Sequence, residues 1–337
     1  MKIHYFSGED WEEAYVRGKM PNDEIIFHKG SVEANPDVTD DAADVLCTFI
    51  DSKIGSTELE RFPAVKLIAT RSTGFDHIDL AAVQAKSVTV ATVPFYGENT
   101  VAEFAFALIL ALSRRVIEAN DSVRRTGTFG QDGLRGFDLA GKTLGIVGGG
   151  HIGQHAIRMG NGFGMKVVCF DVHQDAALAA SLNFTYVSLD ELYAQSDVIS
   201  IHVPYNPHTH HLVNKDAFAK MKKGTYLVNT ARGAVVETEA LVEALKNGTL
   251  AGAGLDVLEE EGDINDESRL LAEPHPNEDE IRTALANNYL IDHPRVIVTP
   301  HVAFDTTEAV TRIIDTTIAN IAAFEKGAPE NTVAPKA

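Results

Sequence analysis

The 337 residues suffice for two domains, each with its own core, and 45% apolar with 23% charged residues is ordinary for a globular chain. A formal net charge of −19 argues against a nucleic-acid role, which calls for a basic face. The longest apolar run, 104–112, is too short to cross a bilayer, no charged leader precedes the first strand pattern, and the two cysteines, Cys47 and Cys169, lie in apolar runs as buried thiols do, so a reducing, cytoplasmic setting is expected.

Strands are expected at Lys2–Ser7, Ile25–His28, Val45–Ile50, Lys66–Ser72 and Val88–Val93, each rich in Val, Ile or Phe and bounded by turn residues. Their alternation with helical stretches implies a parallel sheet with crossover helices. One long amphipathic helix is predicted over Thr100–Arg125, from the spacing of Val101, Phe104, Ala105, Leu108, Ile109, Leu112 and Ile117, with Asn99 or Thr100 and Glu103 as a capping box. Such a helix suits a link between domains or a subunit interface.

The run 143–153, Thr-Leu-Gly-Ile-Val-Gly-Gly-Gly-His-Ile-Gly, carries the strongest signal. It is an apolar strand followed by G-x-G-x-x-G, a helix-compatible segment and a second apolar strand that ends at Asp171. Gly148 allows the tight turn, Gly150 the approach of a pyrophosphate, and Gly153 close helix–strand packing. The helix start at His151 and Ile152 offers free N–H groups to phosphates. Asp171, about 18 residues past Gly153, stands where an acid binds ribose hydroxyls, which favours NAD over its 2′-phosphorylated form.

Further strands are expected at Leu144–Gly148, Lys166–Phe170, Val198–Val203, Thr225–Asn229, Gly252–Val257 and Val296–Thr299, with clear helices at Lys215–Lys222 and Glu237–Lys246. Six strands suit a doubly wound sheet. The acidic segment Glu259–Pro294 breaks this rhythm and reads as a lid or surface loop. A last helix over Thr306–Lys326 and a loose Pro/Ala/Gly tail follow. The α/β architecture is therefore read as two Rossmann-like domains. A split substrate-binding domain (1–98 and 300–337) flanks a dinucleotide-binding domain (99–299), and a cleft between such halves is a default ligand site.

Polar residues just past the strands of the nucleotide part are the chemical candidates. Arg232 reads as a structural ion-pair partner or an anion receptor. His301 reads as a structural or an acid–base histidine, and Glu261 and Asp256 as solvated or functional acids. Together they fit reduction of a 2-oxo acid: an Arg to grip the carboxylate in two-pronged fashion, and a His kept protonated by a carboxylate to supply a proton as hydride arrives. The run 207–211, Pro-His-Thr-His-His, could suggest metal, but no Cys or acid stands at ligand spacing and a solvated loop is expected, with no metal site.

In combination, segments 71–79, 93–103, 141–153, 228–233, 254–257 and 298–304 resemble the D-isomer-specific 2-hydroxyacid dehydrogenase family, in its order and over about residues 45–305. The resemblance implies a split two-domain fold and a homodimer built on the 100–125 helix. It implies Arg232 as carboxylate anchor, His301 as acid/base with Glu261 as its partner, and Asp256 near the nicotinamide. Thr73 and Gly74 would hold the carboxylate through their backbone. Val203, Pro204, Thr230 and Ala231 would add cofactor contacts.

Phe304, Phe49 and Tyr96 match pocket aromatics of the D-lactate dehydrogenase branch, so pyruvate is the favoured substrate. Glyoxylate/hydroxypyruvate reductase is the nearest alternative. A formate dehydrogenase would carry Gln at 261, and little chain follows His301 for a phosphoglycerate dehydrogenase's regulatory domain. A nucleotide-sensing corepressor is the reading from another class.

Overall fold

The computed structural model describes residues 1–261 and 277–333. The chain divides into two compact units, Met1–Tyr96 with Thr306–Ala337, and Gly97–Asp305. The first carries β1 (Lys2–Phe6), α1 (Asp10–Lys19), β2 (Glu24–His28), β3 (Val45–Thr48), α2 (Ser56–Arg61), β4 (Leu67–Thr70), α3 (Leu80–Ala85) and β5 (Thr89–Ala91). The second carries α4 (Glu98–Arg114), α5 (Val116–Thr126), β6 (Thr143–Val147), α6 (His151–Gly162), β7 (Lys166–Phe170), α7 (Ala176–Leu182), β8 (Thr185–Tyr186), α8 (Leu189–Gln195), β9 (Val198–Ile201), α9 (Lys215–Lys220), β10 (Thr225–Asn229), α10 (Thr238–Lys246), β11 (Leu250–Leu255), α11 (Glu278–Asp292) and β12 (Val296–Val298). The chain then returns to the first unit as α12 (Thr307–Glu325).

The first unit is a five-stranded parallel sheet, order β2-β1-β3-β4-β5. Both faces are covered, which is why its strands read as near-continuous apolar runs. One face buries Phe6, Leu46, Ile68 and Val90 with Leu59 and Phe62. The other buries Tyr5, Cys47, Leu67 and Ala91 with Val16 of α1 and Ile314 and Ile321 of α12. The expected loose tail is ordered as far as Val333. Thr332 bridges Ala91 antiparallel, Val333 N–H donates to Val90 O (2.9 Å), and Asn331 Nδ2 donates to Asn320 Oδ1 (2.8 Å). The rest of that tail lies outside the described residues.

The second unit is a seven-stranded parallel sheet, order β12-β11-β10-β9-β6-β7-β8. The seventh strand, β8, is two residues long, too short to leave a periodic signal. The predicted 100–125 helix is two helices: Arg115 is left-handed (φ 52°, ψ 41°). The Ser113 carbonyl accepts Phe137 N–H at 2.9 Å, so the α4 ladder is not continued there. The α4 N-cap is Gly97, two residues before Asn99 and three before Thr100, and Asn99 Nδ2 instead donates to Glu103 Oε1 along the helix (3.1 Å). The acidic segment is not all loop, since its second half is the 15-residue α11. Its 262–276 stretch lies outside the described residues. Residues 300–305, expected in the substrate-binding part, stand with the nucleotide unit, because the N–H groups of His301, Val302 and Ala303 all bond to Asp256. No helix among the described residues is long and apolar enough to cross a membrane.

Candidate functional site

Every strand of the second sheet runs parallel, so the chain leaves each at one edge. Gly148 follows β6, Asp171 follows β7, and His202, Val203 and Pro204 follow β9. Thr230, Ala231 and Arg232 follow β10, Asp256 follows β11, and Thr299 to His301 follow β12. This carboxyl edge is where open α/β sheets bind ligands.

The glycines explain the turn. Gly148 has φ +101°, and a Cβ there would lie 2.6 Å from His202 O. A Cβ on Gly153 would run into the Gly148 carbonyl oxygen, so only Gly lets α6 approach β6. Around Gly150, by contrast, a Cβ would meet nothing within 4 Å. That opening, at the cap of α6 with no side-chain cap bond, is a place for a pyrophosphate. His151 is exposed, its Nδ1 3.6 Å from Glu98 Oε1, and Ile152 packs into the core.

Asp171 receives Gly149 N–H at Oδ2 (2.7 Å) and His173 N–H at Oδ1 (2.8 Å). Each carboxylate oxygen keeps lone-pair capacity for a ribose hydroxyl. Thr230 Oγ1 is buried with no hydrogen-bond partner among the described residues, an orphan that a bound group could satisfy. The opening at Gly150, the acid at 171 and this unmet hydroxyl fit a dinucleotide.

The three consecutive glutamates are separated by the fold. Glu259 accepts from Thr238 Oγ1 (2.8 Å) and pairs with His211 Nε2 (2.6 Å). Glu260 takes a left-handed turn (φ 54°). Glu261 Oε1 lies 2.6 Å from His301 Nδ1, and its Oε2 accepts Leu258 N–H at 3.3 Å. The solvated-loop reading of 207–211 therefore needs correction at its end. His211 is half-buried, left-handed (φ 50°), stacked on His210 at 3.9 Å and paired with an acid that is distant in sequence.

His301 is itself left-handed (φ 54°), a conformation costly for a side-chain-bearing residue and often found at functional sites. Its N–H is shared between Asp256 O (2.8 Å) and Thr299 O (3.0 Å). Asp256 is buried and accepts Thr299 Oγ1–H (2.6 Å), Val302 N–H (3.0 Å) and Ala303 N–H (2.8 Å). Burial pushes its carboxyl above the usual range, against the pull of those donors. These bonds brace the backbone around His301.

Arg232 is half-buried. Its carbonyl accepts Asn229 Nδ2–H (2.9 Å), and its Nη1 donates to Ala231 O (2.8 Å). Gly233 follows because a Cβ there would collide with the Leu258 backbone. Phe304 is half-buried, three residues past His301.

Phe49, Thr73, Gly74 and Tyr96 belong to the first unit. Thr73 Oγ1 donates to Val93 O (2.7 Å), Ser72 Oγ to Gly74 O (2.6 Å) and Arg312 Nε to Tyr96 O (2.5 Å), while Phe49 lies under the Arg71 guanidinium at 5.4 Å. Arg71 was not among the sequence candidates. Its signal, a cation ending an apolar strand, is the same one that singled out Arg232.

The family model described as "D-isomer specific 2-hydroxyacid dehydrogenase, NAD binding domain" matches residues 106–303. The chain is 35% identical to the D-lactate dehydrogenase of Escherichia coli over 331 residues, 97% of this chain and 98% of that one. It is 38% identical to the glyoxylate reductase of Thermofilum pendens over 289 residues, 84% and 79% of the two chains. The solved D-lactate dehydrogenase of Aquifex aeolicus, complexed with NAD and lactic acid, superposes with a TM-score of 0.85 at 34% identity, covering 99% of this chain and 100% of that one. The chain belongs to the D-isomer-specific 2-hydroxyacid dehydrogenase family and is an NAD-dependent oxidoreductase.

Proposed function

We propose that the chain reduces short 2-oxo acids, pyruvate foremost, to the D-2-hydroxy acid, so that within its family it acts as a D-lactate dehydrogenase. The observation that carries this reading is the 2.6 Å pair of His301 Nδ1 and Glu261 Oε1 at the strand edge that also presents Arg232 and the Gly148–Gly153 turn. NADH, when bound, supplies the hydride. The chain does the rest. Arg232 grips the substrate carboxylate with its planar fork. His301, its Nδ1 bonded to Glu261, keeps Nε2 for the substrate and passes a proton to the carbonyl oxygen. Glu261 fixes the ring orientation through that bond. The residues assigned to the cofactor are Gly148, Gly150, His151, Ile152, Gly153, Asp171, Val203, Pro204, Thr230, Ala231 and Asp256. Those assigned to the substrate are Phe49, Thr73, Gly74, Tyr96 and Phe304.

Glyoxylate reduction is the second reading, favoured by the Thermofilum relative. An NADH assay across pyruvate, glyoxylate, hydroxypyruvate, phenylpyruvate and 2-oxoisocaproate decides between them. Pyruvate should give the highest kcat/KM. Glyoxylate at the head of that order rejects the first reading, and no turnover of any of the five rejects an enzymatic role.

The reading includes a cytosolic homodimer. It is supported by two buried free thiols and by exposed Val116, Ile117 and Val123 on α5. Sedimentation as a monomer at micromolar concentration would remove the dimer.

A further inference from the structure

Arg71 follows β4 and is 4% exposed, yet it carries a full charge. Its Nη1 donates to Glu12 Oε2 on α1 (2.8 Å), and its Nη2 to Phe6 O at the end of β1 (2.6 Å) and Ser7 O just after it (2.9 Å). Its own N–H donates to Thr48 O at the end of β3 (2.9 Å). The guanidinium carbon lies 4.4 Å from the Tyr5 ring centre and 5.4 Å from that of Phe49, within cation–π range of both. Its Nε is buried with no hydrogen-bond partner among the described residues.

A buried ion pair with one donor unmet is a poor way to gain stability, because an apolar side chain of similar volume would do as well or better. What an apolar side chain cannot do is hold two carbonyls and an aromatic ring in a fixed relation. The carbonyls and the ring Arg71 holds sit at the carboxyl ends of β1 and β3. Ser7, left-handed at φ 53°, is tied onward through its Oγ to Asp51 Oδ2 (2.6 Å), two residues past Phe49.

We infer that Arg71 is a positioning residue that sets the Phe49 ring and thereby limits the size of the 2-oxo acid accepted. This rests on the reading that Phe49 faces the substrate. Lysine in its place keeps the charge but loses the fork, so Phe49 gains freedom to yield to a larger side chain.

The test is the ratio of kcat/KM for phenylpyruvate to that for pyruvate, read with melting temperatures. Phe49→Ala should raise the ratio tens-fold, Arg71→Lys about fivefold, and the double variant no further than Phe49→Ala alone. An Arg71→Lys ratio that stays put while Phe49→Ala moves it, or a double variant that multiplies the two effects, overturns the inference alone. A ratio unmoved by Phe49→Ala overturns the pocket assignment and this inference with it. Tyr5→Phe, which removes the 2.7 Å bond to Glu12, should lower stability without moving the ratio; an equal rise there means that the ratio tracks stability and overturns the inference. Should Arg71→Lys not fold, Glu12→Gln loosens the guanidinium from its acid partner. It should raise the ratio by a smaller factor, and no rise beside a responsive Phe49→Ala overturns the inference.

Discussion

Asp256 holds His301 by the backbone rather than by the imidazole. Its carbonyl accepts the His301 N–H at 2.8 Å, and its carboxylate receives the next two N–H groups, of Val302 and Ala303. The left-handed turn at His301 is thereby fixed at both sides, and the ring is left to Glu261. Acid and histidine, 40 residues apart in sequence, meet because β11 and β12 are neighbours with one register.

From that pairing, Glu261→Gln should lower kcat for pyruvate reduction, because a neutral amide holds the imidazole less firmly than a carboxylate and the ring orientation loosens. His301→Ala should lower turnover by about 10²–10⁴-fold, the usual worth of a positioned acid. A kcat for Glu261→Gln equal to that of wild type would reject the pairing as functional.

Asp171 should make NADH preferred over NADPH, since a 2′-phosphate would place negative charge against its carboxylate. Asp171→Ala should narrow that preference. The same carboxylate braces the Gly149 and His173 N–H groups, so the variant should also weaken NADH binding. Fluorescence titration with both nucleotides measures each effect. Equal affinities in wild type would refute the assignment.

Phe304→Ala should widen substrate choice toward phenylpyruvate and 2-oxoisocaproate. Contacts of methylene size are worth about 1–3 kcal/mol, so the change in kcat/KM ratio should be tens-fold and not absolute. Parallel loss on all substrates would make Phe304 a packing residue.

His202 offers a test on stability. Its Nε2 bonds Ser200 Oγ (2.9 Å), and burial pushes the imidazole down to about 4. The unfolded chain, with its histidines near 6.5, then binds a proton that the folded chain refuses. This contribution is complete above pH 6.5 and is lost as pH falls toward 4. His28, lowered by burial and by His4, acts in the same direction. Denaturant unfolding should show His202 costing up to about 2 kcal/mol of stability between pH 7 and pH 5, at about 1.4 kcal/mol per unit. His202→Asn should flatten that slope, and an unchanged slope would show that His202 does not carry it.

Much of the fold was legible because doubly covered parallel strands are continuous apolar runs; β7 and β10 match their predicted bounds. What escaped depends on contacts distant in sequence. Nothing local marks Arg115 as left-handed, since the cause is Phe137 taking the Ser113 carbonyl. Among the three equal glutamates only the family resemblance pointed to Glu261; the physical reason, Thr238 and His211 taking Glu259 and His301 taking Glu261, is not local. Arg71 was passed over because the residues that surround it, Glu12, Ser7 and Phe49, come from other elements.

The return of α12 has a consequence for synthesis. Tyr5, Leu67 and Ala91 share a core with Ile314 and Ile321, and Val333 completes the edge at Val90. On a ribosome adding about 5–20 residues per second, that sheet face emerges early and waits on the order of 10–40 s for its cover. The nucleotide unit, continuous from Gly97 to Asp305, has all its parts first. The half begun first is therefore the last able to close, and during that interval its apolar face is what a chaperone would meet.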